Sequence, residues 1–173
     1  MKIKVNLKIF IFIIIFLITG QLKIYGILML FAFLHEMGHL LAGVVLKFNP
    51  ESIKIMPLGL VVSFNVSSHN HNEKILKSNS FKIKKIVIAL AGPITNIVIF
   101  ILLIYWSFGL SIETRIICIY SNILIAIFNL LPIYPLDGGR VVKGLLSIYL
   151  NKLDSIKWSN IISNVTLYII TFI

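Results

Sequence analysis

Two imidazoles and a carboxylate stand in FLHEMGH, residues 33–39, inside a run that is otherwise hydrocarbon, GILMLFAFLHEMGHLLAGVVL. On a helix, His35 and His39 lie four residues apart and so share one face, where both rings can grip a single metal ion. Glu36 is turned by about 100° from His35, beside such an ion without having to bind it. A carboxylate there can take a proton from metal-activated water and pass it to a leaving amine, which is the chemistry of hydrolysis. Gly38 removes a side chain that would obstruct a substrate or a neighbouring helix. The competing reading, two hydrogen-bonded core histidines, weakens inside a membrane, where an ionisable group at depth is costly and marks function.

Zinc asks for a third protein ligand that leaves its fourth position open. Asp137, in NLLPIYPLDGGR (residues 129–140), is the one carboxylate placed at a distinctive turn between long apolar segments. Alone it would read equally well as the N-cap of a helix beginning near Arg140; the unmatched histidine pair tips it toward ligation. His69 and His71 are the rivals. Their surroundings, SSHNHNEKILKSNS, form a polar, turn-rich loop, so both are read as solvated or as weak metal contacts.

The elements that must carry these groups follow from composition. With 58% hydrophobic and 13% charged residues in 173, the chain departs far from a soluble fold and holds several runs near the ~20 residues a bilayer span requires. The net charge of +10 does not form a nucleic-acid stripe, so nucleic acid is excluded as a partner. Lys2, Lys4 and Lys8 precede the first run, and Lys47, Lys54, Lys74, Lys77, Lys82, Lys84 and Lys85 crowd the segment between the second and third. That is the distribution of cytoplasmic loops, and it also attracts anionic lipid. The single cysteine, Cys118, excludes an intrachain disulfide framework and reads as a packed apolar residue.

The expected fold is an all-α multi-pass membrane protein of about five to six transmembrane helices with a short membrane-associated β-hairpin. A first helix covers Ile9 to Ile18; no small-residue cleavage site follows Thr19-Gly20-Gln21, which disfavours a signal peptide. The second runs from Ile24 to Leu46. Ser52 to Asn65 reads as the hairpin, its turn at Pro57-Leu58-Gly59. A third helix covers Ile86 to Trp106 and a fourth Ile112 to Leu131, stopped by Pro132 and Pro135. A shorter helix spans Arg140 to Leu150, and the last apolar run, Trp158 to Ile173, is either a short final span or a piece of a longer one. With the N-terminus cytoplasmic, His39 lies about 12 Å below the cytoplasmic boundary at Lys47, and Asp137 approaches from the same side.

HEMGH on an early helix, AGPITN on a later one and NLLPIYPLDGGR after the fourth together resemble the site-2 protease family (M50) of intramembrane zinc metalloproteases. Their order and the basic loop resemble most its sporulation branch. The likeness covers about 24–143, taken as the core of a single transmembrane domain, 1–173. It implies one zinc ion per chain held by His35, His39 and Asp137, and Glu36 as the catalytic group that activates water. It further implies substrate contacts at Asn129, Pro135 and Gly138, with Asn129 holding the substrate backbone. Asn122, two turns before Asn129, is read as an interhelical hydrogen-bonding residue. The hairpin is similar to a family element that aligns an extended substrate by strand addition.

The implied activity is cleavage of a membrane-associated protein near the cytoplasmic face of the cell membrane, such as a sigma-factor precursor in sporulation. The other expected partners are the lipid bilayer and regulatory membrane proteins. Neither a nucleotide-sensing CBS domain nor a PDZ domain is visible in the sequence, so regulation through them is not carried over. Two alternatives of other classes stand beside this: a membrane metal transporter, which has no use for Glu36 or the NLLPIYPLDGG turn, and a silent scaffold, which would not keep the site.

Overall fold

A computed structural model describes residues 2–5, 7–56, 59–65 and 78–172. Among the described residues six helices and three strands run in the order β1 (Lys2–Val5), α1 (Lys8–Ile18), α2 (Leu22–Val45), β2 (Asn49–Met56), β3 (Gly59–Asn65), α3 (Asn79–Tyr105), α4 (Ile112–Leu130), α5 (Asp137–Tyr149) and α6 (Lys152–Phe172). The expected turn residues Pro57 and Leu58, the loop with His69, His71, Lys74 and Lys77, and Ile173 lie outside the described residues.

Three helices, α2, α3 and α4, are long and apolar enough to cross a membrane. The first helix, expected as a span, has 11 residues, about 16 Å against a hydrocarbon core of ~30 Å, and is too short to cross alone. It folds back at Gly20, whose φ of 69° suits glycine, and stacks Phe16 on Tyr25 of α2 with ring centroids 4.7 Å apart. The outward faces of the long helices expose apolar side chains such as Leu30, Phe33, Leu41, Val98 and Ile101, whereas His35, His39, Asn96 and Asn122 are buried. Apolar surface outside and paired polar groups inside is the arrangement a lipid solvent selects.

The third helix begins seven residues earlier than the apolar pattern implies, so Lys82, Lys84 and Lys85 stand on its first turns and not in a loop. Lysine is a good helix former and its stem lies along apolar surface while the ammonium reaches water. The β element is also larger than a hairpin. β1, read from sequence only as a basic leader, pairs in parallel with β2 from Lys2↔Ser52 to Val5↔Ile55, while β2 and β3 pair antiparallel from Asn49↔Asn65 to Met56↔Gly59. The sheet order is β1-β2-β3. Its attachment to the helices is aromatic: Phe48 contacts Phe64 of β3 at 6.2 Å and Phe81 of α3 at 5.4 Å between ring centroids.

Close packing of α2 against α3 depends on glycine. A Cβ on Gly38 would fall 2.2 Å from Thr95 Oγ1 and 2.9 Å from the Ala91 carbonyl oxygen. Gly92, just before the helix-internal Pro93, leaves the space that the imidazoles of His35 and His39 fill.

Candidate metal centre

His35 and His39 project from one face of α2, and Asp137 is the first residue of α5. The turn 131–136 brings that helix start inward. Ser163 of α6 holds it, accepting from the Tyr134 amide at 3.0 Å and donating to the Pro132 carbonyl at 3.3 Å. Gly138 and Gly139 let the helix start lie on the preceding backbone, since a Cβ at Gly138 would sit 2.1 Å from the Leu130 carbonyl oxygen. Asp137 does not cap its helix: the N-cap is Leu136, without a side-chain cap bond, and the carboxylate faces the histidines.

Asp137 Oδ2 lies 3.0 Å from His35 Nε2 and 3.0 Å from His39 Nε2, and the two Nε2 atoms are 3.1 Å apart. All three residues are buried, and their donor atoms form the cluster able to hold a metal ion among the described residues. The other ring nitrogens are engaged. His35 Nδ1 is 2.6 Å from Asn96 Oδ1, and His39 Nδ1 is 2.7 Å from the Ile88 carbonyl oxygen, with the Gly92 amide a longer 3.3 Å away. Both close partners are acceptors, so each Nδ1 carries a hydrogen, and a ring in its neutral form then turns a bare Nε2 to the centre. Three electron-pair donors thus converge without a hydrogen between them, an arrangement a cation satisfies.

Size agrees with chemistry. A tetrahedral ion about 2.0–2.1 Å from each donor spaces the donors roughly 3.3 Å apart, close to the distances here. Two imidazoles and one carboxylate with a fourth position free is a donor set for zinc that leaves room for reaction. Arg140 Nη1 approaches the other carboxylate oxygen, Asp137 Oδ1, at 3.4 Å and helps fix its rotation.

Glu36 lies beside His39 on the wall of a cavity of about 840 Å³. Phe48, Phe64, Phe81 and Ile88 form apolar parts of that wall; Lys82, Lys85, Arg140, Lys143 and Lys152 form a cationic part. The residues expected at the substrate are not in the cavity lining. Asn129 donates its amide to Ile125 of its own helix at 2.9 Å, Pro135 is exposed in the turn, and Gly138 is buried against the Leu130–Leu131 backbone. Asn96 and the Ile88 carbonyl were given no part by sequence reasoning. A buried asparagine in an apolar run is a visible signal, but its partner, 61 residues away, is not.

The chain matches the model described as peptidase family M50 over residues 23–116 and 111–173. It is 27% identical over 135 residues to stage IV sporulation protein FB of Bacillus subtilis, an alignment covering 76% of this chain and 43% of that protein. It is 30% identical over 130 residues to a zinc metalloprotease of Methanocaldococcus jannaschii, covering 72% and 34%. The chain therefore spans less than half the length of these curated relatives. Among solved structures, a site-2 protease from Methanocaldococcus jannaschii superposes with a TM-score of 0.68 at 22% identity, over 91% of this chain and 72% of that one, a likeness of fold.

Proposed function

The chain belongs to peptidase family M50, and from that premise we propose that it is a zinc endopeptidase acting, within a single membrane domain, on a peptide bond of a membrane-associated protein near the cytoplasmic face. The observation that carries this reading is the convergence of His35 Nε2, His39 Nε2 and Asp137 Oδ2 within 3.0–3.1 Å, with Glu36 on the adjoining cavity wall. Zinc held by these three residues would supply a Lewis acid and lower the pKa of a bound water. Glu36 is the base that accepts the water's proton and then donates it to the leaving amine, so the carboxylate is regenerated at the end of the cycle.

The substrate must enter unwound, because a helical segment keeps its carbonyls in its own hydrogen-bond ladder. Among the described residues β3 is an edge strand of the sheet and its Phe64 lines the cavity, which supports alignment of an extended segment by strand addition. Asn129 lies outside the cavity lining with its Nδ2 committed to Ile125, so its part in holding the substrate backbone rests on the family likeness, and Pro135 and Gly138 shape the turn on that side. The pairing of β1 with β2 supports an N-terminus on the same side as the segment after α2, and the lysine distribution supports that side being cytoplasmic. Similarity to stage IV sporulation protein FB supports a sigma-factor precursor as the substrate to try first, with regulatory membrane proteins sought as partners.

The test is co-expression with a sigma-factor precursor and, separately, with a single-span membrane protein. We expect a shortened product from at least one, suppressed by a membrane-permeant zinc chelator. A product that persists at full yield under chelation would refute the metalloprotease reading.

A further inference from the structure

We infer that Asn96 and Asn122 are positioning residues that set the tautomer of His35 through a directional hydrogen-bond relay across three helices. The direction is fixed at its far end. The Cys118 carbonyl can only accept, so Asn122 presents Nδ2 to it, at 2.9 Å, and must turn Oδ1 toward Asn96. Asn96 answers with Nδ2, 2.9 Å from Asn122 Oδ1 and 3.5 Å from the Phe31 carbonyl oxygen, which leaves its Oδ1 facing His35 Nδ1 at 2.6 Å. Neither amide can flip without setting like against like. Both asparagines are 0% exposed, which shuts bulk water out of the relay. An acceptor at Nδ1 holds the hydrogen there and keeps Nε2 bare toward Asp137 and His39.

The relay rests on the zinc site proposed above, and its readout is metal affinity, not turnover. Zinc binding to the purified protein is measured by competition with a chromogenic chelator. Asn96→Leu should weaken binding about 10–100-fold, and Asn122→Leu, which frees the Asn96 amide to turn, should weaken it several-fold. Asn96→Asp in its neutral form, which keeps an oxygen facing Nδ1 and donates its O–H to Asn122 Oδ1, should stay within about threefold of wild type. The zinc-free unfolding temperature of each variant separates a loosened fold from a lost ligand, and Asn122→Leu keeps the claim testable should Asn96→Leu not fold. Wild-type affinity in a folded leucine variant at either position, or an Asn96→Asp loss as large as that of Asn96→Leu, would overturn the relay. A wild-type protein that takes up no zinc would instead refute the site itself.

The cavity carries a second, independent inference. We propose that it receives a peptide segment bearing acidic side chains. Lys82, Lys85, Arg140, Lys143 and Lys152 all line it, on α3, α5 and α6, and Glu36 is the single carboxylate among the described residues that line it. Of these cations only Arg140 has an ion-pair partner among the described residues, and that one is long, 3.4 Å. Lys82 donates to the Ser147 carbonyl, Lys85 lies over the Phe81 ring at 4.7 Å and Lys143 over Tyr134 at 5.0 Å, contacts that hold the ammonium groups in place without neutralising them. Lipid headgroups would also satisfy such charges, but these line the chamber that contains Glu36 and His39, so the anion they favour is one delivered to the site. This deepens the protease reading by naming its substrate class.

Binding is measured by fluorescence anisotropy, with the protein in phosphatidylcholine nanodiscs and a pair of labelled ten-residue peptides that differ only in glutamate against glutamine. The glutamate peptide should bind about tenfold more tightly, a difference of one charge-assisted contact, and the combined K82Q, K85Q and K143Q variant should bind both alike. Equal binding by the wild type, or a preference that survives the triple variant, would overturn the proposal. So would a preference abolished by anionic lipid in the disc, which would assign the cations to headgroups. Selective binding without any cleavage would fault the catalytic reading and leave this one standing.

Discussion

At Glu36 the proposed chemistry separates cleanly from metal binding, because this residue flanks the three donors without joining them. Glu36→Gln is nearly isosteric and cannot accept a proton. We expect zinc content to stay at the wild-type level while the cleavage rate drops by about 10²–10⁴; loss of zinc together with activity would move Glu36 into the ligand set. Asp137→Ala removes one of three donors, and zinc content by elemental analysis should fall well below one per chain; an unchanged stoichiometry would leave the carboxylate without a metal role. The proximity of His35 and His39 was legible in the sequence, since helix geometry alone dictates what four residues of spacing means. Asp137, 98 residues beyond His39, was reached only through the chemical need for a third donor. Asn96 was not legible at all in this sense: its position in AGPITN was visible, but the partner that gives its oxygen a task lies on another helix.

At the level of elements, small residues decide whether the donors can meet. A methyl on Gly92 would stand 2.3 Å from His39 Nε2 and 2.6 Å from His35 Nε2, inside the space of both rings. Gly92→Ala should therefore push the imidazoles off their common point and cut zinc affinity at least tenfold, read by the same chelator competition. An affinity equal to wild type would show that the packing of α2 on α3 is looser than described here. The helices themselves were foreseeable from apolar runs, but their ends were not. α3 extends through Lys82, Lys84 and Lys85 because long basic side chains suit an interfacial helical turn as well as a loop. β1 was hidden because a strand of four residues, Lys2–Val5, has no pattern of its own and gains its identity only from β2, about 50 residues along.

The whole molecule places polar chemistry inside and hydrocarbon outside, with the turn before α2 and the helix pair α5–α6 expected on opposite faces of the bilayer. In a Cys118→Ser background, a cysteine at Gln21 should react with an impermeant thiol reagent added to intact cells, and one at Lys152 only after lysis. The reverse pattern would invert the orientation and move the site to the other face. That α1 is too short to span alone does not alter this expectation, which depends on the three crossings of α2, α3 and α4. The central claim is hydrolysis at a zinc centre with Glu36 as the base. Its most direct test places the purified protein in lipid with a single-span substrate, removes zinc with a chelator, restores it, and repeats the assay with Glu36→Gln. The account predicts cleavage that stops, returns with zinc, and is absent from a Glu36→Gln protein that still holds its metal; undiminished cleavage by that variant would contradict it.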